Sequence, residues 1–244
     1  MSEVSTNCIE TCQTKDMLRV SGNPPRITVC GVGKTSNACS GEIIYKGLIA
    51  ESKRLNIPVI IEPAKFGCSG KCNNGPYISL PHLGLFYHKI KDNHVSLIIK
   101  ETIGNNKILF PILYLNSLQT LRGDLIWDKV SGCIMTMESN VCMVQLADYL
   151  IKFHANESCG KCVPCRLGIQ RLIELISGVV SGNSPANAVE QMQTMIRLTD
   201  QAAYCAFAGK VSKIILAIIS NFREEFETHI KEKNCALGVC KFKK

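Results

Sequence analysis

Glu157-Ser158-Cys159-Gly160-Lys161-Cys162-Val163-Pro164-Cys165-Arg166 sets three cysteines at every third position immediately before an apolar-periodic helix. Thiolates at C-x-x-C-x-x-C spacing can curl around one face of a 4Fe-4S cube, each reaching a different iron, while a remote fourth cysteine takes the last corner. Cys205, in Tyr204-Cys205-Ala206-Phe207, is the expected fourth ligand. Gly160 lets the backbone approach the cluster, Pro164 stiffens the loop, and a helix expected from Arg166 aims its positive end at an anionic cluster. A structural zinc site is the competing reading, but zinc sites usually pair cysteines two and two. Cys133 competes with Cys205 for the fourth corner. The stretch SGCIMTM around Cys133 reads as a buried strand, however, where a cysteine serves as a small apolar residue.

The remaining composition bounds what surrounds this loop. A chain of 244 residues, 46% hydrophobic and 20% charged, can bury one large or two small cores. No apolar run approaches a membrane span, and the polar start MSEVSTNCIETCQTK has no signal-peptide core, so a soluble cytoplasmic protein is expected. Fourteen cysteines in such a chain point to metal or redox centres rather than to a disulfide framework. The net charge of +8 comes from scattered lysines with few interleaved aromatics, which reads as a solvated basic surface and not a nucleic-acid interface.

Upstream, residues 1–25 read as a polar arm ending in Gly22-Asn23-Pro24-Pro25, with Cys8 and Cys12 as spare thiols. Residues 26–104 read as an α/β unit. A strand is expected at Ile27-Thr28-Val29, a helix over 41–55, and a second, buried strand at Pro58-Val59-Ile60-Ile61. A hairpin of 77–80 with 85–88 and a closing helix over 92–103 complete it. The order βαβ–ββα is that of a thioredoxin-like domain. Its cysteines fall at strand ends: Cys30 and Cys39 flank the first βα loop, and Cys68 and Cys72 follow the second strand. Two thiolates from each of two loops suit a 2Fe-2S rhomb, with Gly67, Gly70 and Gly75 allowing tight turns and amide-to-sulfur bonds. Zinc or a redox disulfide are the competing readings.

Residues 105–140 read as a linker with short strands. Residues 141–232 read as a four-helix bundle, with helices over 141–154, 166–177, 186–202 and 209–232 and a break at Ser181-Gly182-Asn183-Ser184-Pro185. Val141, Val144, Leu146, Leu150, Leu172, Ile173, Ile176, Ile214, Ile215 and Ile218 are its expected core. The fold class is therefore α+β. In the tail, 233–244, Cys235 and Cys240 follow shortly after His229, and Cys142 opens the first bundle helix. Cys142, His229, Cys235 and Cys240 would make a Cys3His tetrahedron suited to structural zinc. The alternative is a frayed terminus with spare thiols.

These motifs carry a resemblance. Residues 26–104 resemble the thioredoxin-like 2Fe-2S ferredoxin domain that accompanies NADH dehydrogenases and NAD-linked hydrogenases. The segments SGCIMTMESNVCMVQLADYLIKFHANESCGKCVPCRLGI, YCAFAG and NFREEFETHI are similar to the carboxyl-terminal part of the flavin-bearing subunit of complex I. They are more similar still to the beta subunit of electron-bifurcating iron hydrogenases, which has a comparable cysteine pair after its bundle. In that family a flavin and nicotinamide domain stands between the two parts. Here only NNKILFPILYLNSLQTLRG occupies the place, and no G-x-G-x-x-G cradle occurs in the chain. FMN and NAD are accordingly not expected.

The resemblance implies a non-catalytic electron-transfer subunit of a hydrogenase, formate dehydrogenase or similar NAD-linked complex, relaying single electrons between a 2Fe-2S and a 4Fe-4S cluster. No nucleophile–base constellation suggests a stand-alone catalyst. A flavin enzyme completed by a partner subunit and a redox-sensing or zinc-based regulatory module are the alternative classes.

Overall fold

A computed structural model of the chain describes residues 24–33, 39–68, 72–114, 123–128 and 131–242. The arm with Cys8 and Cys12, and Gly70, lie outside them. The described residues form an α+β structure.

Its first half is built on a four-stranded sheet of β1 (Arg26–Val29), β2 (Ile60–Pro63), β4 (Ile78–Leu80) and β5 (Leu85–Tyr87), in the order β2-β1-β4-β5. The β1–β2 pair is parallel and the other pairs are antiparallel. Alternation along the strands sends Ile27, Val29, Ile78, Leu80 and Tyr87 to one face. There they pack with Ile44 and Leu48 of α1 (Gly41–Leu55) and Val95 of α2 (Asp92–Leu97). Helix α2 runs on as a wider π-helical segment, Ile98–Gly104, whose Thr102 hydroxyl lies 3.0 Å from the buried Tyr87 hydroxyl. The expected second strand, Pro58–Ile61, lies two residues later and is not buried: at the sheet edge it has β1 alone as a neighbour, and Ile60 stays exposed.

The other face of this sheet is covered by a second one, in which β7 (Cys133–Thr136) runs antiparallel between β3 (Phe66–Gly67) and β6 (Leu125–Asp128). Tyr77 and Phe86 meet Ile126, Met135 and Met137 across the gap. Thr28 and Ser79, with their hydroxyl oxygens 2.6 Å apart, are the polar seam of this contact, and Ser79 donates to the Met137 carbonyl at 2.6 Å.

The second half comprises five helices rather than the expected four: α3 (Met143–Glu157), α4 (Gln170–Ser181, preceded by a π-helical turn, Pro164–Ile169), α5 (Ala188–Ala202), α6 (Ala206–Asn221) and α7 (Arg223–Glu232). The expected helix over 209–232 is broken at Phe222, whose φ of −124° and ψ of 32° leave the helical region. The turn re-aims α7 so that Phe226, fully buried, and His229 both face the core. Gly182, at φ 75°, ends α4 with a left-handed cap. All ten expected core residues lie in or against this core, Val141 and Ile173 at its margin. No helix among the described residues is long and apolar enough to cross a membrane.

Candidate metal centres

The cysteine-rich loop follows from how α3 ends. Ser158 leaves the helix in an extended conformation, and Gly160 turns the chain at φ 65°, a conformation that disfavours a side chain. Pro164 then opens the π-helical turn, where its missing N–H is harmless. Cys165, in that first turn, is buried, Cys162 half-buried and Cys159 exposed; Cys205 is the exposed N-terminal flanking residue of α6. The four thiols form one electrostatic group. Burial first, then Cys162, Cys205 and Cys159, push the Cys165 thiol up to about 11. Cys162 is held below the ordinary thiol range by backbone N–H groups of Cys165 and then Tyr204. The loop and the start of α6 thus converge, as do the positive ends of two helical segments. Exposed Val163, Leu167 and the almost wholly exposed Tyr204 (95%) border the group.

A second thiol group lies between the two sheets. Cys30, Cys39, Cys68 and Cys72 line one cavity, with Gly31, Gly75, Tyr77, Ile126 and Met135 around them. The Tyr77 amide donates to Cys30 Sγ at 3.0 Å and the Gly75 amide to Cys72 Sγ at 3.1 Å. Gly31, at φ 79°, has room for no side chain, since a Cβ there would stand 2.7 Å from Cys39 Sγ. Burial pushes the Cys30 thiol up to about 12, so this sulfur ionises only where a positive centre receives the charge. The Tyr77 hydroxyl is buried beside the cavity with no hydrogen-bond partner among the described residues.

Sequence reasoning missed one member. Cys133 lines the same cavity, with its Sγ 3.2 Å from Cys68 Sγ. It also shares a hydrogen bond with Cys72, the largest cause of that thiol's raised pKa. Cys133 lies in the buried strand expected of it, now β7, but its sulfur meets the Cys68 and Cys72 thiols of the cavity. Only strand register could have revealed it.

The third group joins both ends of the helical region. Cys142 precedes α3, His229 lies in the last turn of α7, and Cys235 and Cys240 flank a turn closed by the Gly238 amide on the Cys235 carbonyl (2.8 Å). All four are buried, and their donor atoms lie within 4.8 Å of one another. Cys142 Sγ is 3.5 Å from His229 Nε2 and 3.7 Å from Cys240 Sγ. Metal–sulfur bonds near 2.3 Å in a tetrahedron need thiolates about 3.8 Å apart, so the donor set fits zinc. His229 Nδ1–H donates to the Glu225 carbonyl at 2.7 Å, which leaves Nε2 as the donor atom facing the thiols. Burial opposes ionisation of Cys235, yet backbone N–H groups of Cys240, Leu237 and Val239 outweigh it and hold that thiol low. Phe242 packs against His229, ring centroids 5.7 Å apart, and extends the tail's contact.

Residues 145–229 match the family model described as the NADH-ubiquinone oxidoreductase-F iron-sulfur binding region. The chain is 30% identical over 110 residues, 45% of its own length, to 22% of the NADP-reducing hydrogenase subunit HndC of Solidesulfovibrio fructosivorans. It is 30% identical over 105 residues (43% of this chain) to 25% of an NADH-quinone oxidoreductase subunit of Rhizobium meliloti. It is 28% identical over 102 residues (42% of this chain) to 21% of the mitochondrial NADH dehydrogenase [ubiquinone] flavoprotein 1 of Dictyostelium discoideum. The chain thus spans between about a fifth and a quarter of the length of these relatives. The loop with Cys159, Cys162 and Cys165, and Cys205 beyond it, fall inside the matched region, and that match supports an iron–sulfur binding region over residues 145–229.

Proposed function

We propose that this chain is an iron–sulfur electron-transfer subunit of a multisubunit oxidoreductase of the NAD-linked or hydrogenase type. Cys159, Cys162, Cys165 and Cys205 would hold the 4Fe-4S cluster, and the cavity with Cys30, Cys39, Cys68 and Cys72 the 2Fe-2S cluster. When bound, the clusters supply one-electron chemistry; the chain tunes them through N–H···S bonds and burial. The observation that carries the reading is the convergence of the C-x-x-C-x-x-C loop on Cys205 within the matched family region. The β2-β1-β4-β5 sheet supports the thioredoxin-like assignment of residues 26–104.

The bundle over 141–232 and the tail, 233–244, would be clamped by zinc on Cys142, His229, Cys235 and Cys240, whose spacing favours that ion. Exposed Val163, Leu167 and Tyr204 beside the half-open thiol loop suit a partner subunit that exchanges electrons there. Metal and acid-labile sulfide analysis of the anaerobically purified full chain tests the reading. About six irons, matching sulfide, one zinc and dithionite bleaching are expected; zinc without iron would overturn the relay. FMN in stoichiometric amount would overturn the expectation that this chain binds none.

A further inference from the structure

The sheet cavity offers five thiols where a 2Fe-2S cluster needs four. Cys133 arrives there by register: the antiparallel pairs Phe66↔Met135 and Gly67↔Ile134 run on to set Cys133 opposite Cys68. The sulfurs are 3.2 Å apart, and Cys133 also shares a hydrogen bond with Cys72. Cys30 and Cys39, by contrast, belong to the other wall, where the Tyr77 amide holds Cys30 and Gly31 makes room for Cys39. A rhomb asks for two thiolates per iron. One wall supplies its two; the other supplies three, with Cys133 in contact with both Cys68 and Cys72.

We propose that Cys133 belongs to the donor set of the 2Fe-2S site and exchanges with Cys68 for the position beside Cys72; this rests on the 2Fe-2S reading given above. Cys133 opens β7 and Cys68 directly follows β3, its neighbouring strand, and both line the cavity, so either sulfur reaches it without breaking a strand pair. Exchange forms one iron–sulfur bond and breaks another, and the proton leaving the incoming thiol passes to the released thiolate. No electron is moved. Because Cys133 lies nine residues before Cys142, the segment that closes this cavity is also the one that leads to the third group.

The test uses the full chain as wild type, Cys68→Ala, Cys133→Ala and the double variant, all produced anaerobically. Iron, acid-labile sulfide and the electron paramagnetic resonance signals after dithionite reduction are read together. Each single variant is expected to keep the 2Fe-2S signal, and the double variant to lose it while the 4Fe-4S signal persists as proof of folding. Loss of the 2Fe-2S signal in Cys68→Ala alone, with the 4Fe-4S signal intact, would overturn the exchange. A wild-type chain that shows the 4Fe-4S signal but no 2Fe-2S signal would instead overturn the underlying reading, and the exchange with it.

Discussion

The loop group and the sheet cavity gather their thiols by opposite means. At the loop, three of four cysteines come from seven consecutive residues, Cys159–Cys165, and Cys205 and the loop meet where two helical segments begin. Its sulfurs are half exposed, and the surroundings donate N–H groups to Cys162. In the cavity, the sulfurs come from three separate chain segments, brought together by strand pairing between two sheets, with Cys30 and Cys133 buried and Cys39, Cys68 and Cys72 half-buried. The difference teaches that a centre built from local spacing tolerates exposure and can serve an outside partner. A centre built from register depends on the whole sheet contact.

Breaking the first of these should have the largest effect. Cys205→Ser is expected to abolish or convert the 4Fe-4S cluster while the 2Fe-2S signal remains, as electron paramagnetic resonance would report. An unchanged 4Fe-4S signal would remove Cys205 from the fourth corner. Next in size, Phe226→Ala removes a fully buried ring from the helical core and should cost about 3–5 kcal/mol in denaturant unfolding of the helical region. The sheet cavity should keep its spectroscopic signal under conditions where the bundle still folds.

Removal of zinc by a chelator, or Cys235→Ser, should release the tail from proteolytic protection and lower the thermal midpoint, with both iron–sulfur signals kept. Equal protease sensitivity before and after chelation would deny the clamp. The smallest change is Gly31→Ala, where the backbone at φ 79° and the 2.7 Å approach to Cys39 Sγ predict a loss of about 1–2 kcal/mol. Here the comparison sharpens. The 2Fe-2S signal should shift or weaken while the 4Fe-4S signal stays constant, since Gly31 lines the sheet cavity beside Cys39 and the start of α1.

These contrasts also explain what was legible in the sequence. Cys159, Cys162 and Cys165 announce themselves because their spacing is local, and the pair Cys235 and Cys240 with nearby His229 does the same. Cys133 was invisible as a member of the cavity because its partner, Cys68, is 65 residues away and is met through register, which no local period encodes. The helix break at Phe222 was missed because the apolar period runs through it; burial of Phe226 and His229 decides the bend, and that is a tertiary effect. The edge position of β2 likewise cannot be read from Pro58-Val59-Ile60-Ile61, since an apolar run looks the same at the edge and at the centre of a sheet.

The central claim is that this one chain holds two different iron–sulfur centres, one in each kind of scaffold. Mössbauer spectroscopy of the iron-57-enriched, anaerobically purified protein counts them directly. The account predicts about one third of the iron in a 2Fe-2S environment and about two thirds in a 4Fe-4S environment. All iron in a single cluster type, or zinc in place of iron, would contradict it.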